Sequence, residues 1–375
     1  MAKSKHKYEP YDGLTIDGSF LTPQTRLNKD FTLLAANLLQ FYLIAWDPDG
    51  KNEYLRDMGK SNARYKADLD RKGWTFHTIK SDDTPATALV AYNSDNIVVS
   101  FRGSGVQREE GETGFFESKL ETIKNVLTDL NIVRIADSGF PGKLHMGFRR
   151  QYLQIRDEIY EKVALALSPN KGVAKKMNLF ISGFSLGSGM ASLCLWDLPK
   201  KLEQNKLKVD TYGYLFACPA AGDHAFEAAL HEYNKNIFHI AHERDVIGQI
   251  PHSLFKEYRT TARKLLVFDT NPLKTAQQSP ETVEQLKHGK MDINLKIKKT
   301  LPASVLTKVL YDKLWPYLVV KLTKDILFPF VRYHNGYFYK NCMVEMSQDF
   351  DRKQSGSTLA ETATAQYKLC QKHGI

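Results

Sequence analysis

The sequence predicts an α/β protein with a central, mainly parallel sheet flanked by helices. Short apolar runs, at first with a two-residue period, recur from residue 74 onward, and from residue 147 they alternate with segments of helical period. Strands that alternate with helices are typical of a parallel sheet with helical crossovers. The chain has 375 residues and is 42% hydrophobic, which is enough to bury a large core.

The first predicted element is a helix that opens near Asn28, a residue type that caps helices. The apolar residues after it fall at the three- and four-residue spacing of a helical face: Phe31, Leu34, Leu38, Phe41 and Tyr42. The Asp-Pro-Asp-Gly sequence at 47–50 ends this helix as a turn.

The remaining elements of the core follow in chain order. The Asn-Ser-Asp-Asn sequence at 93–96 has the composition of a turn between two strands, and the later apolar runs are each followed by a helical pattern. The predicted strands are 75–79, 88–92, 97–101, 177–182, 212–217 and 237–241, and the predicted helices are 147–167, 186–198 and 223–233.

Residues 253–331 break this alternation and carry much of the excess charge. The net charge of the chain is +10, and residues 285–325 alone hold nine Lys against three Asp. At 305–330, Trp315 and Tyr317 lie among lysines, a composition that suits the headgroup region of an anionic membrane. A buried helix pair with a solvated basic face explains the same pattern equally well.

Composition excludes several classes of protein. The 20 Phe and 18 Tyr exclude a disordered chain, and four Cys without CxxC spacing exclude a disulfide scaffold and favour free thiols. No apolar segment follows the basic start at 1–7, so the sequence predicts neither a signal peptide nor a transmembrane helix. We expect a protein that is cytoplasmic or exported by a leaderless route, with peripheral membrane contact at most. The basic charge comes with no nucleic-acid-binding motif, so no nucleic-acid partner is expected.

Residues 183–187 read Gly-Phe-Ser-Leu-Gly, a GxSxG pattern between a predicted strand and a predicted helix. A nucleophile elbow requires this context, because its serine occupies a tight turn that leaves no room for side chains at Gly183 and Gly187. The N–H of Leu186, at the helix N-terminus, would then donate to the oxyanion formed when Ser185 attacks a carbonyl. A glycine-rich turn with an idle serine is the alternative.

The sequence resembles the class 3 (fungal-type) lipases of the α/β-hydrolase fold. The resemblance extends beyond the elbow, because five further blocks follow in family order over about residues 28–252, with a short piece near 334. These blocks are 97–104 (strand and Phe-Arg-Gly-Ser turn), 125–130, 144–148, 212–222 and 245–251. The family usually has His where Phe184 stands, and the stretch after Asp245 is longer here than usual.

A serine nucleophile needs a histidine base and a carboxylate that orients it, in the chain order Ser, acid, His in this fold. Asp245 closely follows the predicted strand 237–241 and is the expected acid, with Glu243 and Asp223 as fallbacks. The resemblance implies His334 as the base, because the segment 333–339 is closest to the family's Tyr-x-His pattern. His288 is the next choice.

Three further residues and one segment have expected roles, and the resemblance implies those of Ser104 and of residues 106–124. The hydroxyl and N–H of Ser104 would join the N–H of Leu186 in the oxyanion hole, and His145 would support the site rather than act as the base. Arg102 is expected to make a structural ion pair. Residues 106–124, with Phe115 and Phe116, lie where such lipases carry a lid; a solvated loop is the alternative.

The sequence therefore predicts a lipase or phospholipase A-type serine hydrolase that acts on glycerolipids through Ser185, Asp245 and His334. It implies no metal or organic cofactor. The alternative is a catalytically silent, lipase-like module that binds lipid or protein. The expected organisation is a lead-in (1–27), the hydrolase core (28–252), a basic and apolar insertion (253–331), the end of the core with the catalytic histidine (332–353) and a polar tail (354–375).

Overall fold

The computed structural model describes the core of the chain. The described residues are 21–24, 28–46, 56–103, 134–168, 176–242, 245, 265–268 and 336–354. The predicted lid at 106–124, the segment at 305–330 and the tail after 354 lie outside them. So do Ser104, Glu243, His288 and His334.

Nine strands and six helices are formed by the described residues. The strands are β1 (Thr75–Lys80), β2 (Thr87–Tyr92), β3 (Asn96–Phe101), β4 (Arg134–Ala136), β5 (Lys143–His145), β6 (Met177–Phe184), β7 (Val209–Phe216), β8 (Ile237–His242) and β9 (Leu265–Phe268). The helices are α1 (Lys29–Trp46), α2 (Arg56–Arg71), α3 (Met146–Ala166), α4 (Leu186–Gln204), α5 (His224–Tyr233) and α6 (Gly336–Gln354).

The central sheet has seven strands in the order β1-β2-β3-β6-β7-β8-β9. The pairs β1–β2 and β2–β3 are antiparallel, and every pair from β3 to β9 is parallel. The predicted α/β fold with a mainly parallel sheet is therefore confirmed. Strand β9 lies within the predicted insertion 253–331, so residues 265–268 extend the core sheet into that segment.

Helices cover both faces of the sheet and give it two apolar cores. Alternation along each strand sends one set of side chains to each face: Phe238 and Ile240 of β8 belong to one core, and Ile237 belongs to the other. Helices α1, α2 and α6 pack on the first face, and helices α3, α4 and α5 pack on the second.

Helix α1 begins as the sequence predicts. The side-chain oxygen of Asn28 accepts a hydrogen bond of 2.7 Å from the backbone N–H of Phe31, which satisfies one of the free donors of the first turn. The helix is buried over almost its whole length, from Phe31 to Ala45. It is therefore a central element of the first core rather than a surface helix.

A buried polar network joins α1 to α2 and α6. The Nζ of Lys340 lies 3.1 Å from Oε1 of Gln40, the amide of Gln40 donates to Asn62 at 2.6 Å, and Asn62 donates to the carbonyl oxygen of Leu43 at 3.0 Å. Burial lowers the pKa of Lys340 to about 8. Because these polar groups satisfy one another inside an apolar layer, they fix how the three helices pack.

Five elements were not predicted: α2, the β4 and β5 strands of a hairpin, β9 and α6. Cys194 and Cys218 are free thiols, as expected. No helix within the described ranges is long and apolar enough to cross a membrane.

Candidate active site

Ser185 occupies the turn between β6 and α4 in a strained backbone conformation. Its φ is 59° and its ψ is −129°, values that non-glycine residues rarely adopt. The backbone N–H of Ser185 donates to the carbonyl oxygen of Phe216 at 3.0 Å, so the end of β7 holds the turn in place. The serine is 7% exposed at the carboxyl end of the parallel strands, where open α/β sheets bind their ligands.

The two glycines of the GxSxG pattern are required by close backbone packing. A Cβ at Gly183 would lie 2.5 Å from the backbone of Gly187, and a Cβ at Gly187 would lie 2.4 Å from the carbonyl oxygen of Phe101. Either clash is far inside van der Waals contact. The spacing in the sequence therefore has the steric cause that the elbow assignment predicts.

The hydroxyl of Ser188 holds the first turn of α4 beneath the elbow by hydrogen bonds. Its hydroxyl oxygen lies 2.5 Å from the carbonyl oxygen of Gly183 and 2.8 Å from that of Phe216. The hydroxyl thus bonds the helix to the ends of two adjacent strands. This rigid base keeps Leu186, the first residue of α4, next to the serine.

The end of β3 lies against the elbow. A Cβ at Gly103 would lie 2.8 Å from the carbonyl oxygen of Phe184 and 3.4 Å from the Cβ of Ser185. The turn that leads to Ser104 therefore starts in contact with the serine. The guanidinium of Arg102 lies over the ring of Trp46, with Cζ 5.4 Å from the ring centroid, so its contact here is a cation–π interaction.

Asp245 is fully buried, three residues after β8. Its backbone N–H donates to the carbonyl oxygen of His242 at 3.0 Å, which turns the chain at the strand end. The hydroxyl of Tyr339 donates to Oδ2 of Asp245 at 2.7 Å and accepts from the N–H of His242 at 2.8 Å. Burial raises the pKa of Tyr339 well above its usual value, so this hydroxyl stays protonated and remains a donor.

The ring of Phe184 packs between the elbow and Tyr339, the residue that donates to Asp245. Its ring lies 5.2 Å from that of Tyr339, edge to face, and 5.3 Å from that of Tyr42 on α1. The three rings form one apolar cluster, so the elbow, α1 and α6 are packed as a unit. Phe184 stands where the family usually has His, and its contacts here are apolar.

Two alternative residues have structural contacts instead. Oδ1 of Asp223 accepts from the backbone N–H of Phe226 at 3.1 Å and caps α5. Nδ1 of His145 accepts from the N–H of Gly147 at 3.1 Å and caps α3, and burial lowers the pKa of His145 to about 4. Asp223 and a neutral His145 are therefore helix caps, and the support of the site by His145 stays a prediction.

Residues 98–255 match the family model described as lipase (class 3). This segment, called the lipase segment below, is similar to the class 3 lipases. It includes Ser185, Asp245 and the turn at Gly103, so the elbow and the expected acid lie inside the lipase segment.

Two curated relatives match the chain at low identity. A secreted mono- and diacylglycerol lipase, LIP4, from Malassezia restricta is 28% identical over 154 residues, which cover 37% of this chain and 47% of that protein. The chloroplastic galactolipase DONGLE from Arabidopsis thaliana is 23% identical over 228 residues, which cover 56% of this chain and 45% of that protein. The chain thus spans less than half the length of these relatives.

Solved lipase structures are also similar to the chain. A lipase from Rhizopus microsporus var. chinensis is 18% identical with a TM-score of 0.47, over 70% of this chain and 84% of that one. A mutant form of MDLA from Penicillium cyclopium is 18% identical with a TM-score of 0.48, over 65% of this chain and 81% of that one.

The lipase segment ends before α6, yet α6 contributes to the site. Gly336, its first residue, packs against α1, because a Cβ there would lie 2.5 Å from the ring of Tyr42. Tyr339, one turn further along α6, donates its hydrogen bond to Asp245. The expected base, His334, precedes this helix by two residues and lies outside the described residues.

Tyr339 is a residue of the candidate site that its sequence pattern did not single out. It stands in the same segment as His334, five residues later, and that proximity was the available signal. Its contact with Asp245 crosses 94 residues of sequence, so only the folded chain reveals it.

Proposed function

We propose that this protein is a carboxylic ester hydrolase with Ser185 as nucleophile, His334 as base and Asp245 as acid. The observation that carries the proposal is the strained turn at Ser185, held between β6 and α4 by glycines that cannot bear a side chain. Strain of this kind persists only where the surrounding structure imposes it, and it clusters at active sites. A strand–turn–helix serine in a class 3 lipase segment is consistent with an acyl-transfer nucleophile.

The proposed reaction is a double displacement. Ser185 attacks the ester carbonyl while His334 takes its proton, and the oxyanion receives hydrogen bonds from the N–H of Leu186 and from Ser104. His334 then protonates the departing alcohol, and an acyl-enzyme remains. Water, deprotonated by His334, attacks the acyl-enzyme and releases the fatty acid and the free serine.

Asp245 suits the role of the acid because it is buried and already bound by a donor. A carboxylate that orients a histidine must hold a fixed position, and the bond from Tyr339 fixes one of its oxygens. The position of Asp245 after β8, two strands from β6 in the sheet, places it at the same sheet end as Ser185.

The proposed substrates are acyl esters of glycerolipids. The two relatives are named for mono- and diacylglycerols and for galactolipids, which share a fatty acyl ester of glycerol. We propose that shared ester as the reacting group. The headgroup preference is left to a panel of mono-, di- and triacylglycerols, phospholipids and galactolipids.

The test compares the wild-type protein with Ser185→Ala and with Ser94→Ala, which changes an exposed serine in the β2–β3 turn. Wild type and Ser94→Ala are expected to release fatty acid and to react with a fluorophosphonate probe, and Ser185→Ala is expected to do neither. Hydrolysis by Ser185→Ala at the wild-type rate would contradict the proposal. Lipid binding by a wild type that neither hydrolyses nor labels would favour the silent module instead.

We also propose that residues 305–330 contact an anionic membrane and that 106–124 act as a lid. Both proposals rest on sequence composition, in which Trp and Tyr lie among lysines and Phe115 and Phe116 lie among Glu residues. Liposome binding that does not change with phosphatidylserine content or salt would reject the first. An unchanged preference for aggregated substrate after deletion of 107–118 would reject the second.

A further inference from the structure

Three side chains with metal-binding chemistry meet between α5 and β8. Glu227 and His231 lie one turn apart on α5, and His239 lies on β8. The ligand atoms of the three residues lie within 4.8 Å of one another. Oε2 of Glu227 is 3.8 Å from Nε2 of His231, and the two imidazole rings are 5.4 Å apart.

The cluster is buried, and it leaves polar atoms unsatisfied. Glu227 is 2% exposed and His239 is 5% exposed. Within the described part of the chain, Oε2 of Glu227 and Nε2 of His239 have no hydrogen-bond partner. Each such buried atom has lost its hydrogen bonds to water without gaining a replacement, which destabilises the fold. A native protein seldom keeps two of them side by side without a bound group to serve them.

An ion pair between Glu227 and a protonated His231 would serve only two of the three residues. It would leave Nε2 of His239 without a partner among the described residues, so an ion pair does not account for the cluster.

We propose that Glu227, His231 and His239 form a buried structural site for a divalent transition-metal cation of the zinc class. Two neutral imidazoles and one carboxylate are a donor set that zinc accepts. The cation would supply the missing partner of both unsatisfied atoms, Oε2 of Glu227 and Nε2 of His239. Zinc holds nitrogen and oxygen ligands at about 2.0–2.2 Å. Side-chain rotations that move the three ligand atoms by about 1 Å would bring them to this distance from one ion.

All three ligand residues are buried, so the site has no contact with solvent. A closed site with no exposed position is typical of structural rather than catalytic zinc.

The cation would hold α5 against β8. His239 is three residues before His242, the residue whose backbone bonds both Asp245 and Tyr339. A metal on His239 would therefore stabilise the strand whose end carries Asp245. We expect its loss to lower the thermal stability of the whole chain, independently of any role in hydrolysis.

The test measures zinc in the full-length protein after chelator treatment, reconstitution with zinc and dialysis. Wild type and His224→Ala, an exposed histidine on the same helix, are expected to retain one zinc per chain. Glu227→Gln, which preserves shape, and His239→Ala are expected to retain less than about a tenth of that amount. Equal zinc in wild type and His239→Ala, or no zinc in reconstituted wild type, would overturn the proposal.

A second measurement needs no variant at the site. Cobalt added to the metal-free wild type is expected to give the intense visible absorption of a tetrahedral site, and stoichiometric zinc is expected to abolish it and to raise the Tm. A weak octahedral cobalt spectrum together with an unchanged Tm would overturn the proposal even if every substitution at the cluster prevented folding.

Discussion

Removing the hydroxyl of Tyr339 is a direct test of how Asp245 is held. Tyr339→Phe keeps the ring that packs edge to face on Phe184 and deletes only the oxygen. That oxygen makes two bonds, one of 2.7 Å to Oδ2 of Asp245 and one of 2.8 Å from the N–H of His242. The substitution therefore loosens the acid without opening a large cavity.

The expected magnitude follows from these two bonds. A hydrogen bond to a charged group contributes about 1.5–3 kcal/mol, and a buried donor left unsatisfied costs about 1–3 kcal/mol. If the first bond acts mainly when His334 becomes charged in the transition state, its loss lowers kcat about 10- to 100-fold, since about 1.4 kcal/mol is a factor of ten. The orphaned N–H of His242 adds a loss of stability of about 1–3 kcal/mol.

The assay pairs steady-state hydrolysis with guanidinium unfolding. Tyr152→Phe is the matched control, because Tyr152 is also buried and donates to the carboxylate of Asp197 at 2.9 Å, between α3 and α4. Both variants are expected to lose stability. Only Tyr339→Phe is expected to lose kcat, with KM close to that of the wild type, because the bond positions the acid rather than the substrate.

A positioning role of Tyr339 is refuted if Tyr339→Phe keeps kcat within about twofold of wild type while its stability falls as much as that of Tyr152→Phe. That result would make Tyr339 a structural residue of α6. It would leave the assignment of Ser185 untouched, because fluorophosphonate labelling reports on that residue separately.

Three further predictions concern stability. Burial lowers the pKa of His145 from 6.5 to about 4, so the stability that its neutral form contributes is complete above pH 6.5 and is lost as the pH falls through 4. The difference in unfolding free energy between wild type and His145→Asn should therefore shrink by about 3 kcal/mol over that range. Gly187→Ala should lower the unfolding free energy by about 3 kcal/mol in denaturant, because its Cβ would lie 2.4 Å from a carbonyl oxygen. In the control Gly139→Ala the new Cβ meets nothing closer than 3.4 Å, so its unfolding free energy should stay within about 1 kcal/mol of wild type. Asn28→Ala should lower the unfolding free energy by about 1 kcal/mol and Asn28→Ser should restore it, since the serine can again cap α1.

Local chemistry explains the elements that the sequence predicted well. The elbow at 183–187 was predictable because its glycines have a steric cause that operates over a few residues. Helix α1 was predictable because Asn28 caps it and its apolar residues repeat at helical spacing. The parallel strands were predictable because buried strands are continuously apolar.

Tertiary packing explains the elements that were missed or cut short. Half of the residues of helix α2 are charged and few are apolar, so no apolar run marks it in the sequence, although Tyr65 and Leu69, one turn apart, are buried in the core. Helix α4 was predicted to stop before Pro199, yet it continues to Gln204 because Leu202 keeps the next turn in the core. The four residues of β9 are too few to show a period, and they become a strand only by pairing with β8.

The pairing of α1 with α6 has a consequence for how the protein is made. Gln40 and Lys340 are 300 residues apart, so the ribosome finishes most of the chain before α1 has its partner. Until then the apolar face of α1 is uncovered, and Asp245 lacks the tyrosine that fixes it. In the nascent chain this part of the core should therefore remain open to proteases, and the candidate site incomplete, until α6 leaves the exit tunnel.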